Sequence, residues 1–395
     1  MDWYLRKLVY VWLKFSEYTI NSIVFFYSIL YNKKKKTKDF KSIGAFWYYP
    51  PDLTGSNLRI GGWRKYFIDD GYIFDDFFNN ELNEYVKYIE NGSWSQKYYY
   101  FSLCIWRRLP QLIKAHRYDV LWIDRSLIPF YPRKSAFLER CLNRVVSRIV
   151  VDSTDGGDYL GNPKLMEDVY RNADKITVGY RYLLQEFEKK YTDVTQVYWT
   201  IPDEKYIKKN NYSIGKKPIV GWMGSPGNFN EVLKIKEALA TLNKLHPFTF
   251  RYICRDNFDL LLKGIDADHY KFGDDYYSLI ASFDIGISPF MTRNMRTMGK
   301  IAMKHQEFLL TGTPQVCSPV AISEFVKNEQ HAVIANDETE WVSCIKKLFH
   351  DEDLRINLGT ESKLLFNKKY NYTSQYEKLK TALIGNQKEN NQNSK

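Results

Sequence analysis

Short apolar runs recur along the chain and alternate with longer segments in which hydrophobic and charged residues mix. Runs rich in β-branched and aromatic residues are typical of buried parallel strands, and the mixed segments are typical of the helices that cover them. We predict strands at 42–51, 118–124, 148–154, 175–180, 218–223, 248–257, 283–289, 315–321 and 331–335. The alternation therefore predicts an α/β protein with two doubly wound domains.

A polar stretch rich in Lys and Asn, at 201–218, separates the two series of strands and is bounded by prolines. We interpret it as an interdomain linker. The clearest helical patterns lie at 63–78, 230–245, 341–349 and 354–367, and 51–62 is predicted as a loop. The predicted organisation is an N-terminal segment at 1–38, a first domain at 39–200, the linker, a second domain at 219–364, a final helix at 365–385 that packs back on the first domain, and a disordered tail at 386–395.

The segment 282–319 carries the most concentrated candidate chemistry. It is predicted to form a strand, a loop, a helix that begins at Lys300 and is ended by Gly312, and a second strand. Lys300, Lys304 and Glu307 are spaced i, i+4 and i+7, so they would share one helix face. A helix N-terminus that follows a strand is where an open α/β sheet binds phosphate. The alternative is an ordinary solvated helix face.

Residues 1–38 combine aromatic and aliphatic side chains with cations and end in a run of lysines at 33–36 and 38. The longest uncharged stretch, 18–31, is short for a membrane span. The mixture predicts a helix that lies in the membrane interface, with its basic residues on anionic headgroups. A helical hairpin packed on the first domain fits the pattern equally well, and a spanning anchor fits it less well.

The net charge of +11 indicates an anionic partner: nucleic acid, a membrane surface or a phosphate-bearing substrate. Much of the excess is local, at 33–38 and 205–217, and is not interleaved with aromatic residues on one sheet face. We therefore predict no nucleic-acid partner. The five cysteines show no CxxC spacing, which predicts buried thiols in a reducing cytosol and no disulfide framework or zinc site.

Several motifs follow one another at domain-like spacing. They are YDVLWIDRSLIPFYP and IVVDSTDGG in the first half, and GWMGSPGN, FDIGISPF, MGKIAMKHQEFLLTGTP and CSPVAISEFVKN in the second. In this order the chain, from about Ser42 to Leu383, resembles the retaining family-four members of the GT-B glycosyltransferases. The resemblance implies two Rossmann-like domains that face a central cleft, the first binding the acceptor and the second the donor. It also implies a nucleotide-diphosphate sugar as co-substrate, no cofactor and no metal ion.

The resemblance places the donor site in the second domain. Glu307 matches the family's glutamate that binds the ribose hydroxyls of the nucleotide. Gly224 and Ser225 match the turn that lets the backbone approach the diphosphate. Lys300 and Lys304 match the cations that neutralise the diphosphate as it departs, so they are the predicted catalytic residues.

Two positions depart from the family pattern. The first glutamate of its Glu-x7-Glu element falls at Gly299, which has no side chain to hold the donor sugar. An Arg and a Lys that many members carry shortly after the strand at Val220 are missing. We predict that Lys300, Arg255 or Arg296 supplies this charge at the donor site.

The first domain offers candidates for the acceptor site and for one further catalytic cation. Arg125 follows the strand at 118–124 and is predicted to face the cleft near a phosphate, with a surface ion pair to a neighbouring Asp as the alternative. Gly55 and Ser56 are predicted acceptor contacts, because glycine permits close approach. Asp155 either lines the acceptor side or caps the next helix. The acidic triplet at 266–268 is interpreted as a solvated turn.

These features predict an enzyme that moves a sugar, with retention, to a glycan or lipid-linked glycan acceptor in surface polysaccharide biosynthesis. In the front-face route attributed to retaining members, the leaving phosphate takes the acceptor proton, so no protein nucleophile is required. The predicted location is cytoplasmic, peripheral at the inner face of the cell membrane. The alternative is a catalytically impaired GT-B scaffold for a glycan assembly complex, which Gly299 favours.

Overall fold

A computed structural model describes residues 2–32, 40–153, 161–300 and 302–385 of the chain, without the side chains at positions 2, 54, 56 and 296. The chain divides into two compact units. The N-terminal unit comprises residues 1–179, 183–199 and 375–395, and the C-terminal unit comprises residues 180–182 and 200–374. Each unit is built on a parallel sheet of six strands.

The N-terminal sheet consists of the strands β1 Ser42–Phe46, β2 Ile73–Phe77, β3 Val120–Asp124, β4 Arg148–Ser153, β5 Lys175–Val178 and β6 Val194–Gln196. Their order in the sheet is β2-β1-β3-β4-β5-β6. Every residue of β1 and β3 is buried, as expected for central strands that are covered on both faces. The order reverses direction between β1 and β3, which makes this the topological switch point of the unit.

Helices connect these strands, because parallel neighbours require crossover connections. The longest helix between strands begins at Trp94 with a capping box formed by Ser93 and Gln96. The described helices of this part of the chain are Asp2–Leu30, Thr54–Arg59, Arg64–Asp69, Leu82–Glu84 continued by the π-helix Tyr85–Glu90, Trp94–Leu112, Phe137–Asn143, Pro163–Arg171 and Arg181–Glu188.

Two predictions for the segment that follows β1 are wrong. The range 63–78, predicted as a helix, contains a helix that ends at Asp69 and then strand β2. Gly71 separates them with a φ of 84°, a left-handed conformation that glycine adopts without strain. The range 51–62, predicted as a loop, contains the helix Thr54–Arg59.

The N-terminal segment forms one helix, Asp2–Leu30, and not a hairpin. It packs against the helices Trp94–Leu112 and Phe137–Asn143 through a buried stripe that includes Leu13 and Ile20. No helix among the described residues is both long enough and apolar enough to cross a membrane. The lysines at 33–38 lie outside the described residues.

The C-terminal sheet consists of the strands β7 Ile219–Met223, β8 Thr249–Ile253, β9 Ala267–Tyr270, β10 Ile285–Ser288, β11 Gln315–Cys317 and β12 Val333–Ile334. Their order in the sheet is β9-β8-β7-β10-β11-β12. If β7 is counted as the first strand of the unit, this is the 3-2-1-4-5-6 order of a Rossmann fold, with its switch point between β7 and β10. Trp222, Phe250 and Trp341 are buried in the main hydrophobic core of this unit.

The helices predicted for this part of the chain are present, but they begin or end at other residues than predicted. The range predicted as one helix at 230–245 is two helices that meet at Ile235. The helices are Pro226–Lys234, Lys236–Leu245, Tyr276–Ala281, Met295–Met298, Met303–Thr311, Glu340–His350, Glu352–Lys369 and Tyr372–Ile384.

The acidic triplet at 266–268 is not a solvated turn, because it leads into strand β9. Asp268 accepts two hydrogen bonds from the Arg251 guanidinium, at 3.0 and 2.8 Å. Asp266 forms an ion pair with Lys217 at 2.7 Å. Both carboxylates therefore serve to hold the edge of the sheet.

The stretch at 201–218, predicted as a linker, packs on the C-terminal unit. The backbone N–H of Lys209 donates to the carbonyl of Thr311 at 2.7 Å, and the Arg355 guanidinium donates to the carbonyl of Tyr212 at 2.8 Å. At the other end of the unit the final helix continues into the N-terminal unit, where Lys380 forms an ion pair with Asp70 at 2.6 Å. The predicted tail at 386–395 lies outside the described residues.

Candidate functional site

The switch point of the C-terminal sheet gathers the strongest candidate residues. In doubly wound sheets ligands bind outside the carboxyl ends of the strands at such a point. Strand β7 leads through Gly224 and Ser225 into the helix Pro226–Lys234. Strand β10 leads through Phe290 towards Lys300.

The turn after β7 leaves no room for a side chain at Gly224. A Cβ atom there would lie 2.9 Å from the Trp222 ring and 3.5 Å from the Lys304 Nζ. Ser225 is the N-cap of the following helix, and Pro226 occupies its first turn. The bare backbone and the helix N-terminus form a surface on which a diphosphate can lie.

Two lysines flank the same aromatic ring beside this turn. The Nζ of Lys304 lies 4.8 Å from the centroid of the Phe290 ring and 5.1 Å from that of Trp222. The Nζ of Lys300 lies 5.1 Å from the Phe290 centroid. The aromatic faces attract both cations.

The helix that carries these residues begins later than predicted. It runs from Met303 to Thr311, so Lys300 precedes it and does not share a helix face with Lys304 and Glu307. Asn294 and Thr297 form a capping box that starts a separate short helix, and Gly299 is its C-cap. The predicted stop is confirmed, because Gly312 follows the helix with a left-handed φ of 73°.

Burial gives Lys304 an unusual protonation equilibrium. Only 5% of the residue is exposed. Burial, together with the nearby Lys300 cation, lowers the pKa of Lys304 to about 7. Near neutral pH the empty site therefore holds Lys304 partly unprotonated. A bound anion would favour the ammonium form.

Glu307 lies on the same helix and is held by two tyrosines. Its Oε1 accepts hydrogen bonds from the hydroxyls of Tyr206 and Tyr276, each at 2.7 Å. The residue is 2% exposed, and burial raises the pKa of its carboxyl group. Tyr206 comes from the stretch predicted as a linker, so sequence reasoning did not identify this contact.

The remaining donor candidates are placed differently. Arg255 follows strand β8, and its side chain is 64% exposed and pairs with Asp256 at 3.0 Å. Arg296 lies in the short helix that precedes Gly299, and its side chain is not among those that the structure describes. The structure thus brings Gly224, Lys300 and Lys304 together and leaves Arg255 at the surface.

Glu231 is a positioning residue that sequence reasoning missed. It lies on the helix after the Gly224 turn. Its Oε2 accepts hydrogen bonds from the backbone N–H groups of Met291 and Thr292, at 2.6 and 3.1 Å. The loop after Phe290 is therefore fastened to the helix that begins at the proposed phosphate surface.

The structure describes only some of the acceptor candidates of the N-terminal unit. Gly55 lies inside a helix and not in a loop, and a Cβ there would meet the Trp199 ring only at an ordinary 3.7 Å. The side chain of Ser56 and the whole of Asp155 lie outside the described residues. Arg125 follows β3, and its ion pair with Asp124, at 2.7 Å, is buried and not on the surface.

The described chain shows no group of three or more His, Cys, Asp or Glu side chains placed to hold a metal ion. The five cysteines are free thiols, and four of them are buried.

No protein-family model matches the sequence, and no curated protein matches it. Solved structures do match. TarM shares 13% identity at a TM-score of 0.56, over 72% of this chain and 58% of that chain. HepE of Anabaena, in complex with UDP and glucose, shares 11% identity at a TM-score of 0.60, over 87% of this chain and 98% of that chain. Sucrose-phosphate synthase of Thermosynechococcus elongatus shares 11% identity at a TM-score of 0.64, over 86% of this chain and 98% of that chain.

Two Rossmann-like units and these neighbours define the class: the chain has the GT-B fold of glycosyltransferases. It matches most of HepE and of the sucrose-phosphate synthase, and 58% of the length of TarM. At 11–13% identity the likeness establishes the fold, and the activity is inferred below.

Proposed function

We propose that the chain is a retaining glycosyltransferase that moves a sugar from a nucleotide-diphosphate sugar to a glycan or lipid-linked glycan in surface polysaccharide synthesis. One observation carries the proposal. Lys300, Lys304 and the bare turn at Gly224 meet at the switch point of a Rossmann-like sheet. Two cations and a helix N-terminus are the groups that a departing diphosphate requires.

In the proposed reaction the bond between the anomeric carbon and the diphosphate oxygen breaks, and the acceptor oxygen bonds to that carbon on the same face. The acceptor proton passes to the departing diphosphate oxygen. Negative charge grows on the diphosphate as the bond breaks, so Lys300 and Lys304 would stabilise the transition state more than the bound donor. Their charge lets the proposed transfer proceed without a metal ion.

Calorimetric titration with UDP, GDP, ADP and the corresponding sugar nucleotides tests the proposal. We expect at least one nucleoside diphosphate to bind, and its sugar derivative to be hydrolysed slowly in the absence of acceptor, with EDTA present. The HepE structure in complex with UDP and glucose makes UDP-glucose the first donor to test. Folded protein that binds none of these nucleotides would contradict the proposal.

The pH arm of the same titration tests the role of Lys304. Its pKa is lowered to about 7, so each pH unit above that value lowers the fraction of Lys304 in the ammonium form about tenfold before a ligand binds. Diphosphate binding needs that form, so affinity should fall as pH rises from 7 to 9, approaching tenfold per unit. Lys304→Met should abolish this slope, and an unchanged slope would contradict the assignment.

We also propose that the protein binds anionic membranes through its N-terminal helix, as a peripheral protein of the cytoplasmic face. The side of the helix that does not pack on the N-terminal unit presents an apolar stripe about 32 Å long, estimated from the helical rise. Its main members are Leu8 (70% exposed), Val11 (64%), Phe15 (55%), Phe26 (64%) and Ile29 (54%). A stripe of this kind is costly in water and favourable in the headgroup region of a bilayer.

Charge favours a bilayer as the occupant of this stripe. Arg6 and Lys7 are exposed near its first turn, and five lysines follow the helix in the sequence at 33–36 and 38. Basic residues at both ends of an apolar stripe match anionic headgroups. The single helix would then pack one face on the protein and the other on lipid.

Vesicle flotation tests the membrane proposal. The triple variant Leu8→Glu, Phe15→Glu, Phe26→Glu should bind phosphatidylglycerol vesicles about 100-fold more weakly, because each change removes roughly 1 kcal/mol or more of apolar burial and adds repulsion. The matched control is Leu245→Glu, Leu260→Glu, Leu364→Glu, which changes three equally exposed leucines in the C-terminal unit. Equal binding of both variants, or self-association through the stripe, would contradict the proposal.

A second function is favoured by one specific observation. The Oε1 of Glu307, the predicted ribose ligand, already accepts two tyrosine hydroxyls. Together with Gly299, this supports a GT-B scaffold without catalysis. The nucleotide titration separates the two functions, since a scaffold that has lost its donor site binds no nucleoside diphosphate.

A further inference from the structure

The N-terminal unit contains a cavity at its own switch point. Its volume is about 390 Å³, within the range of small-molecule sites. The residues that follow β1 and β3 form its inner wall, and this is where a sheet of order 2-1-3-4-5 binds ligands. The lining includes Tyr48, Tyr49, Trp94, Lys97, Arg125 and Phe130.

A buried arginine holds the walls of this cavity in place. Arg108 is fully buried and donates to three backbone carbonyls, those of Trp47, Phe77 and Leu127, at 2.7, 2.8 and 2.8 Å. The carbonyls of Trp47 and Leu127 follow β1 and β3, and that of Phe77 belongs to the last residue of β2. One guanidinium therefore fixes the ends of three strands at the carboxyl edge of the sheet, as a preformed site requires.

The loop after β3 is strained where it meets the cavity. Arg125 and Phe130 both have a φ of 60°, in the left-handed region that non-glycine residues adopt rarely and bulky residues least of all. Such conformations persist only where surrounding contacts enforce them, and they cluster at binding sites. Here the buried ion pair of Glu139 with Arg133 and the bond from the Leu127 N–H to Glu139 hold the loop.

The lining combines aromatic faces with positive charge. The rings of Tyr48, Tyr49 and Phe130 lie 4.8 to 5.4 Å apart between centroids. The Arg125 guanidinium lies 4.9 Å from the Tyr49 ring, and Lys97 lies 5.5 Å from the Trp94 ring. No carboxylate is among the described residues that line the cavity. Aromatic faces receive the apolar faces of sugar rings. The charge of Arg125 is already compensated by its buried ion pair with Asp124, so Lys97 supplies the net positive charge that favours an anion beside them.

We propose that this cavity binds the acceptor, and that the acceptor is an anionic glycan with a phosphate or carboxylate next to a sugar ring. The assignment of the ligand as acceptor rests on the proposed function. The sugar ring lies against Tyr49, Phe130 and Trp94, while Lys97 faces the anionic group. The site lies wholly within the N-terminal unit, so it binds glycan independently of nucleotide.

The cavity wall is also tied to the N-terminal helix. The ring of Tyr131 lines the cavity, and its hydroxyl donates to Glu17 at 2.7 Å and accepts from Lys14 at 2.9 Å. The aromatic surface continues from Trp94 to Tyr98 and on to Tyr10 of the helix, with centroids 5.8 and 5.4 Å apart.

Glycan binding to the full-length chain tests the inference without any turnover. The probes are a glycerol-phosphate oligomer, a hyaluronan oligosaccharide that bears carboxylates, and neutral maltopentaose, each titrated by calorimetry. We expect one or both anionic probes to bind at least tenfold more tightly than maltopentaose, and the stronger of the two identifies the anion. Trp94→Ala with Lys97→Ala should weaken that binding at least tenfold, without loss of thermal stability, since both side chains lie at the cavity rim.

The matched control is Tyr99→Ala, which removes an exposed aromatic ring from the same helix outside the cavity lining. It should bind the anionic probe as the unchanged chain does. Equal binding of neutral and anionic probes, or unchanged binding by the Trp94 and Lys97 double variant, would overturn the inference. Nucleotide titration of the unchanged chain keeps the two proposals apart. If that chain binds glycan but no nucleotide, the result contradicts the donor site alone.

Discussion

Lys304→Met should lower kcat for sugar transfer by about 10²- to 10³-fold, the loss seen when one group that stabilises transition-state charge is removed. Methionine has nearly the length of lysine and can fill the space between the Phe290 and Trp222 rings, but it carries no charge. The departing diphosphate would then keep only Lys300 nearby. Steady-state kinetics with saturating donor measure this loss.

Stability separates this effect from a folding defect. Burial lowers the pKa of Lys304, which means that the folded chain disfavours its charge, so removal of the ammonium should leave the melting temperature unchanged or raise it. Lys244→Met is the matched control, because Lys244 is an exposed lysine in the last turn of a helix of the same unit. A Lys304→Met enzyme with full kcat would remove Lys304 from the mechanism, whatever the fate of the control.

The largest stability effect is expected for Arg59→Met. Arg59 lies at the end of a helix and donates to both oxygens of Asp152 on β4, each at 2.6 Å, and to the carbonyl of Val197 at 2.8 Å. Thr177 on β5 also donates to this carboxylate. Both charged partners are buried, so loss of the arginine leaves an uncompensated charge and costs about 3–5 kcal/mol. Thermal unfolding should shift by on the order of 10 °C.

Two further variants show whether the uncompensated charge is the cause. Asp152→Asn added to Arg59→Met should recover a large part of the lost stability, because it removes the charge and keeps a similar shape. Arg64→Met breaks a pair with Asp76, at 3.3 Å, in which the arginine is 54% exposed and the carboxylate keeps its hydrogen bond from Trp47, so it should cost at most about 1 kcal/mol. Equal losses for Arg59→Met and Arg64→Met would show that the buried pair contributes no more than a surface one.

Local pattern was sufficient to predict most of the fold. Strands β1, β3, β4, β5, β7 and β10 stand within their predicted ranges, because buried parallel strands are continuous apolar runs bounded by polar residues. Strand β2 was missed because IFDDF carries two aspartates, and because the turn signal Asp70-Gly71 before it was included in the predicted helix. Strand β9 was missed because an acidic triplet is a turn signal whose charges are here paired by Arg251 and Lys217. Edge strands are stabilised by such partners, which local pattern does not show.

The candidate site was also predicted only in part from the sequence. Gly224, Ser225, Lys300 and Lys304 were identified from motif order, and the structure places the turn and both lysines together. The shared helix face that first connected Lys300 with Lys304 does not exist, since the helix begins at Met303. Their proximity depends instead on Phe290, which nothing but its position after a strand singled out.

The α/β class, the order of motifs and the residues with the right chemistry follow from the sequence alone, because they depend on local periodicity and on residue type. What each charged group faces depends on tertiary packing. Lys304 is buried beside two rings, Glu307 is held by Tyr206 and Tyr276, and Arg125 meets an aromatic cavity. Burial and partners shift a pKa, neutralise a charge or open a site, and both arise from segments far apart in the chain.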